Sequence, residues 1–292
     1  MPLSPEEEEA IRREFEASRK SGHEEKAADQ GPQFFEQSPK SNIQHVVGVV
    51  SGKGGVGKSL VTSLLASEMA RKGYKVGILD ADITGPSIPK TFGIHSRLTA
   101  DADGINPAMT DNGIKVMSIN LMLPQDDLPV AWRGPVITGI LNQFKNETNW
   151  EDLDYLFIDM PPGTSDVFLT VMQSFDLDGI VSVSAPQELV AMIVGKAVNL
   201  AHDMNVPVLG LVENMAYFKC DECGKEHWIF GEPQGKVVAK RYQIPSFATL
   251  PIDPEFARMC DEGKVADYDV DGALNDIIGQ IEATAARKEA MA

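Results

Sequence analysis

The stretch His45 to Ser59, HVVGVVSGKGGVGKS, constrains this chain more than any other: a valine-rich run breaks into four glycines and closes on Lys58 and Ser59. Gly52 to Ser59 satisfies G-x-x-x-x-G-K-[ST], a strand-to-helix loop that cradles phosphates on its backbone N–H groups. In that pattern the lysine reaches the terminal phosphates and the hydroxyl meets Mg²⁺. Gly52, Gly54 and Gly57 also satisfy G-x-G-x-x-G, the dinucleotide fingerprint. The two readings separate at the residues after the last glycine. Packing residues suit a dinucleotide, whereas a lysine and a hydroxyl suit a triphosphate, whose terminal charge must be neutralised. The nucleotide contacts predicted by the pattern are therefore Gly52, Gly54, Gly55, Val56, Gly57, Lys58 and Ser59. A glycine-rich turn without a ligand is disfavoured, because four glycines are entropically costly unless backbone has to approach something. Lys53 is not demanded by the general pattern, which by itself leaves it open as a solvent-facing loop residue.

From residue 43 onward, short β-branched runs alternate with longer amphipathic stretches. Strands are predicted at His45 to Val50, Lys75 to Asp80, Tyr155 to Asp159, Gly179 to Ser184, Val208 to Glu213 and Ser246 to Leu250. Helices are predicted at Leu60 to Lys72, Asp166 to Phe175, Glu188 to Asn205, Gln234 to Tyr242 and Gly272 to Glu289. Such alternation implies an α/β fold, a mainly parallel doubly wound sheet with helices on both faces. The excursion Gly104 to Ile119, with its Asp111-Asn112-Gly113 turn, predicts a hairpin at the sheet edge. Residues 43–292 thus read as one domain. Residues 1–42 read as an acidic, flexible tail with too few apolar groups to offset the entropy of ordering, although Ser4-Pro5-Glu6-Glu7 would cap a short helix carrying Ile11 and Phe15.

Charge and composition narrow the partners. With 43 acidic against 26 basic residues the formal net charge is -17, which repels nucleic acid and anionic lipid surfaces. No apolar run is long enough to span a bilayer and nothing reads as a secretion signal, so the expected location is cytoplasmic. The three cysteines, Cys220, Cys223 and Cys260, are too few for a disulfide framework.

Two further motifs carry chemistry. Tyr155 to Asp159 is an apolar strand ending in aspartate, suited to holding Mg²⁺ through water. Asp80-Ala81-Asp82 stands at the end of another strand, where either carboxylate would orient a nucleophilic water or cap the next turn, Ser87 to Phe92. Cys220-Asp221-Glu222-Cys223 places two thiolates on one metal, but zinc and iron–sulfur clusters usually take four ligands. Local pattern leaves open zinc on Cys220, Cys223 and His227, half of a cluster site completed across a two-fold axis, and, less favoured, a redox pair. Cys260, in Ala257-Arg258-Met259-Cys260, reads as a packed helical residue.

GKGGVGKS with its extra Lys53, DADITGPSIP at Asp80 to Pro89, IDMPPGTSD at Ile158 to Asp166 and the late C-x-x-C together resemble the Mrp/ApbC family. These are ATPases with a deviant phosphate loop that carry iron–sulfur clusters, in the group containing MinD, ParA and the nitrogenase iron protein. The resemblance covers Val46 to about Lys264. It implies a homodimer in which Lys53 reaches the partner's nucleotide, Lys53, Lys58 and Asp82 serve ATP hydrolysis, Ser59 and Asp159 serve Mg²⁺, and Asn214 and Asp253 lie near adenine. It further implies a [4Fe-4S] cluster bridging two subunits on Cys220 and Cys223, delivered to apo iron–sulfur proteins, with neither nucleic acid nor membrane as partner. Leu60 departs from the family's usual second hydroxyl residue and is expected to leave Ser59 as the metal's hydroxyl. The chain also lacks the amino-terminal cysteine cluster of the eukaryotic cytosolic relatives, since its first cysteine is Cys220. Trp132-Arg133-Gly134-Pro135 resembles a family segment whose arginine is either structural or nucleotide-sensing, and Pro135 is expected to start a helix running to Lys145. The alternative function is a MinD/ParA-like positioning switch with the C-x-x-C as a zinc site.

Overall fold

The computed structural model describes residues 38–83, 85–102, 104–123, 134–163, 166–186 and 190–291. Residues 1–37 of the tail, with the Ser4 cap, and Trp132 and Arg133 lie outside them, whereas Ser41 and Asn42 already belong to the first strand. The chain begins its sheet with β1 (Ser41–Ser51), four residues earlier than His45; its last five residues are buried because helices cover both faces. The phosphate loop then leads into α1 (Lys58–Arg71), which begins two residues before the expected Leu60 and is capped by Lys72. Next come β2 (Val76–Asp80) and the four-residue α2 (Ile88–Thr91), preceded by Ser87. Two short strands, β3 (Thr99–Asp101) and β4 (Gly104–Asn106), pair with each other in a ribbon of their own. β5 (Ala108–Met109) and β6 (Lys115–Ser118) form the expected hairpin around Gly113, whose φ of +83° suits glycine. The Gly104 to Ile119 excursion is therefore divided, its first piece pairing with β3 rather than across the Asp111-Asn112-Gly113 turn.

The second half supplies α3 (Gly134–Asn146), β7 (Glu151–Asp159), α4 (Asp166–Ser174), β8 (Gly179–Ser184), α5 (Val190–Asp203) and β9 (Val208–Glu213). A small hairpin of β10 (Phe218–Lys219) and β11 (Glu226–His227) follows, then α6 (Gly235–Arg241), β12 (Phe247–Thr249), α7 (Pro254–Asp261) and α8 (Asn275–Glu289). The eight-stranded sheet runs β12-β9-β8-β1-β7-β2-β6-β5, parallel throughout except for edge strand β5.

Alternation along β7 sorts the core into two layers. Tyr155 and Phe157 face α1, α7 and α8 with Leu64, Leu65, Met69, Ile277 and Ile281. Leu156 and Ile158 face α3 and α4 with Leu141, Phe144, Phe168 and Met172. Asp159, two residues beyond Phe157, shares the α1 face. From β1 the chain moves outward to β2 and β6, returns to set β7 beside β1, then crosses to β8 on the other side. That reversal makes a crevice at the strands' carboxyl ends, where open α/β sheets bind ligands. Substituting Phe157→Ala, at a fully buried position on the strand that aims Asp159, is expected to cost about 3–5 kcal/mol in urea denaturation. A loss under about 1 kcal/mol would contradict this packing.

Candidate functional site

Three side chains of the crevice, Lys58, Ser59 and Thr62, come to one carboxylate. Lys58 Nζ donates to Asp159 Oδ1 at 2.7 Å, Ser59 Oγ to Asp159 Oδ2 at 2.6 Å, and Thr62 Oγ1 to Asp159 Oδ1 at 2.9 Å. Asp82 Oδ2 stands 3.7 Å from Lys58 Nζ, and Asp80 lies beside Asp159 in the sheet register. Thr62 escaped the sequence reading. It lies one helical turn after Lys58, whose carbonyl its hydroxyl also meets at 3.0 Å. Ser59 is thus not the only hydroxyl at this carboxylate, and Leu60, which packs beside the apolar core, costs the site nothing there.

The two aspartates of Asp80-Ala81-Asp82 separate cleanly. Asp80 is fully buried, and its carboxylate accepts the Asp82 N–H at 3.2 Å and the Ser118 hydroxyl at 3.2 Å. Burial first and the neighbouring Asp159 second hold its carboxyl well above the usual carboxylate range. Asp82 keeps 14% side-chain exposure and faces Lys58. Only the second aspartate is open to a water beside the phosphate loop, while the first fixes the turn that presents it.

The loop is shaped for close approach. Gly57 has φ +83°, and a Cβ there would lie 2.2 Å from Asn214 Nδ2. At Gly52 a Cβ would strike Ile193 at 2.0 Å. Gly54 and Gly55, by contrast, are exposed with nothing near their open side, and Lys53 precedes them half-buried. Backbone amides, the Lys58 ammonium, the Ser59 hydroxyl and the Asp159 carboxylate are the donor set that a magnesium–triphosphate needs. The Ser51 and Ser184 hydroxyls, at the carboxyl ends of β1 and β8, are buried without a hydrogen-bond partner among the described residues.

Asn214 is buried at the end of β9, where its amide donates to the Val56 carbonyl at 3.0 Å; it braces the phosphate loop directly. Asp253 caps α7 by accepting the Glu255 N–H at 2.8 Å and takes a second hydrogen bond from the Tyr268 hydroxyl. Both line a cavity of about 540 Å³ with Tyr217, Cys220, Pro251 and Tyr268. Beside it, the buried Glu213 carboxylate accepts the Gln234 and Gly235 N–H groups and ties β9 to α6, a contact no sequence motif announces.

Cys220 and Cys223 occupy the turn of the β10–β11 hairpin. The Cys220 N–H donates to the Lys225 carbonyl at 2.9 Å and the Gly224 N–H returns to the Cys220 carbonyl at 2.8 Å, with Gly224 at φ +69°. The thiol of Cys220 accepts from the N–H groups of Cys223 and then Glu222, which lowers its pKa. These local N–H groups favour the thiolate form of Cys220. Among the described residues no three histidine, cysteine or acidic side chains gather at a common metal position, so the zinc site with His227 as third ligand is not assembled within one chain. His227 instead sits in register with Phe218 on β11. Cys260 is buried on α7, its thiol pushed up to about 11 by burial and by Asp261.

Among the described residues no helix is long and apolar enough to cross a membrane. The family profile ParA, described as NUBPL iron-transfer P-loop NTPase, matches residues 42–285. The iron-sulfur cluster carrier protein of Clostridium perfringens is 50% identical over 245 residues, covering 81% of this chain and 86% of that protein. A nucleotide-binding protein from Archaeoglobus fulgidus, solved in complex with ADP and with Co, has 45% identity and a TM-score of 0.71 over 78% of this chain and 89% of that one. The cell division ATPase MinD of Pyrococcus furiosus shares the fold, with a TM-score of 0.59 at 20% identity, covering 82% of this chain and 99% of that one. The phosphate loop with its internal lysine, the strand-end aspartates and the cysteine turn, set on this sheet, make the chain a member of the ParA/NUBPL iron-transfer P-loop NTPases, the group to which Mrp/ApbC-type iron–sulfur cluster carriers belong.

Proposed function

We propose that the chain is an ATP-hydrolysing carrier of an iron–sulfur cluster, working as a homodimer. The observation that carries the reading is the Cys220–Cys223 turn, which offers two thiolates and no third ligand among the described residues of its own chain. A [4Fe-4S] cluster takes four thiolates, and an isologous two-fold contact between two such turns supplies them on the symmetry axis. The name of the Clostridium perfringens relative supports cluster carriage, and the ADP complex of the Archaeoglobus fulgidus protein supports nucleotide binding. The unpaired thiols of all three cysteines agree with a reducing, cytoplasmic setting.

In this reading Lys58 leaves Asp159 to contact the terminal phosphates, Lys53 approaches the partner's nucleotide, and Asp82 holds the attacking water in line. Ser59 and Asp159 would hold Mg²⁺, which when bound neutralises charge on the terminal phosphates. Asn214 and Asp253 border the adenine end. Turnover changes how the two protomers meet, and the cluster, as cargo, passes to apo iron–sulfur proteins. The residues before β1 carry no part of this chemistry.

Anaerobic reconstitution with iron and sulfide is expected to give about four irons per two chains, with near-complete loss in Cys220→Ala and no change in Cys260→Ser. Full iron in Cys220→Ala would overturn the cysteine assignment. Iron-free protein that instead sediments with liposomes or DNA on adding ATP would favour a positioning switch. Lys53→Ala is expected to lower turnover by about a hundredfold or more while ATP affinity stays within about tenfold, measured by steady-state kinetics beside equilibrium binding. Unaltered turnover would remove Lys53 from catalysis. Thr62→Val, which deletes one hydroxyl from the Asp159 cluster, is expected to cost about 1 kcal/mol of stability in thermal denaturation, and a neutral outcome would show that hydrogen bond to be dispensable.

A further inference from the structure

The phosphate loop and the cysteine turn are joined by six residues of chain whose polar contacts are nearly all accounted for. At one end the Asn214 side chain holds the Val56 carbonyl at 3.0 Å and the Asn214 N–H donates to Ser184 at 2.8 Å. Met215 comes next with φ +57°, a conformation with few alternatives for a residue that has a side chain. The Ala216 N–H donates to Leu250 at 2.8 Å and the Ile252 N–H donates to the Tyr217 carbonyl at 2.6 Å, so this segment is laced to the neighbouring chain. The Tyr217 ring meets Trp228, just beyond β11, edge-on at 5.5 Å, and Phe218–Lys219 pair with Glu226–His227 up to Cys220. Asn214 and Cys220 even share the wall of one cavity.

A segment fixed in this way has little slack. Phosphates gripped by the loop's amides draw on the peptide that carries the Val56 carbonyl, and Asn214 is hydrogen-bonded to that carbonyl. A displacement there passes along Met215 and Ala216 to Tyr217, and from its ring to the strand after the turn. We propose that Asn214 and Tyr217 are positioning residues that convert occupancy of the phosphate loop into a change in geometry of the Cys220–Cys223 turn. The meaning of this coupling rests on Cys220 and Cys223 being the cluster ligands, but its test does not, because it is read on metal-free protein.

The test compares the iodoacetamide alkylation rate of Cys220, resolved from Cys223 and Cys260 by peptide mass spectrometry, with and without a saturating non-hydrolysable ATP analogue and magnesium. Wild type is expected to change rate at least about threefold, Asn214→Ala and Tyr217→Ala to bring the ratio to about one, and Tyr217→Phe, which keeps the ring, to restore it. Tyr217→Ala leaves the Asn214–Val56 bond in place and decides the matter whatever Asn214→Ala does to affinity. Hydrogen exchange of residues 216–224 in the same samples is expected to follow the same pattern and reports separately on a variant that has lost its fold. An unchanged rate in wild type, or a nucleotide response retained in Tyr217→Ala, overturns the coupling. Failure of iron reconstitution would overturn the carrier reading and leave this result standing.

Discussion

The carboxylate of Asp159 is the point on which the rest of the site depends. It is fully buried and accepts hydrogen bonds from Lys58, Ser59 and Thr62, which are the residues that lead off the phosphate-loop helix. A buried charge is tolerable only when paired and hydrogen-bonded, so this cluster fixes the first turn of the helix against the central strand. The same strand places Phe157 and Tyr155 in the core below it, so packing and chemistry are set by one run of alternating residues. The charge-assisted bonds keep the lysine and serine gathered at the crevice, close to where a magnesium–triphosphate would need them.

Sheet topology gives that cluster its neighbours. Because β7 returns between β1 and β2, Asp159 and Asp80 lie side by side at the strands' carboxyl ends, Val49 of β1 flanks Asp159 on its other side, and Asp82 stands within reach of Lys58. Across β1, the end of β9 delivers Asn214 to the loop's own carbonyl. The cysteine turn is built differently. It hangs from a two-stranded ribbon outside the main sheet, with Cys223 exposed, Cys220 partly so, and the Cys220 thiol accepting from local N–H groups. The nucleotide crevice and the peripheral cysteine turn are joined by one short laced segment, the arrangement that the proposed nucleotide-governed carriage of a cluster requires.

Much of this architecture is legible in the residues alone. The glycine loop, the strand-ending aspartates and the alternation of β-branched and amphipathic runs are local signals, and each of the six expected strands lies in the sheet close to its expected bounds. The choice between Asp80 and Asp82 is not legible, because it rests on burial by Ser118 and Ile88 from elsewhere in the chain. Thr62 is invisible for a related reason: a threonine in an apolar helix reads as packing until a carboxylate from 97 residues away meets it. The strands β10 and β11 are two residues each, too short for period-two alternation to show. The family resemblance supplies what spacing does not, namely the weight on Lys53 and on a cluster rather than zinc.

Native mass spectrometry of anaerobically purified, full-length protein tests the central claim most directly. A bridging cluster predicts a species of two chains plus four irons and four sulfides, which reverts to cluster-free chains when Cys220 or Cys223 is replaced by alanine. A single chain carrying one zinc, or a dimer whose iron survives both substitutions, would contradict it.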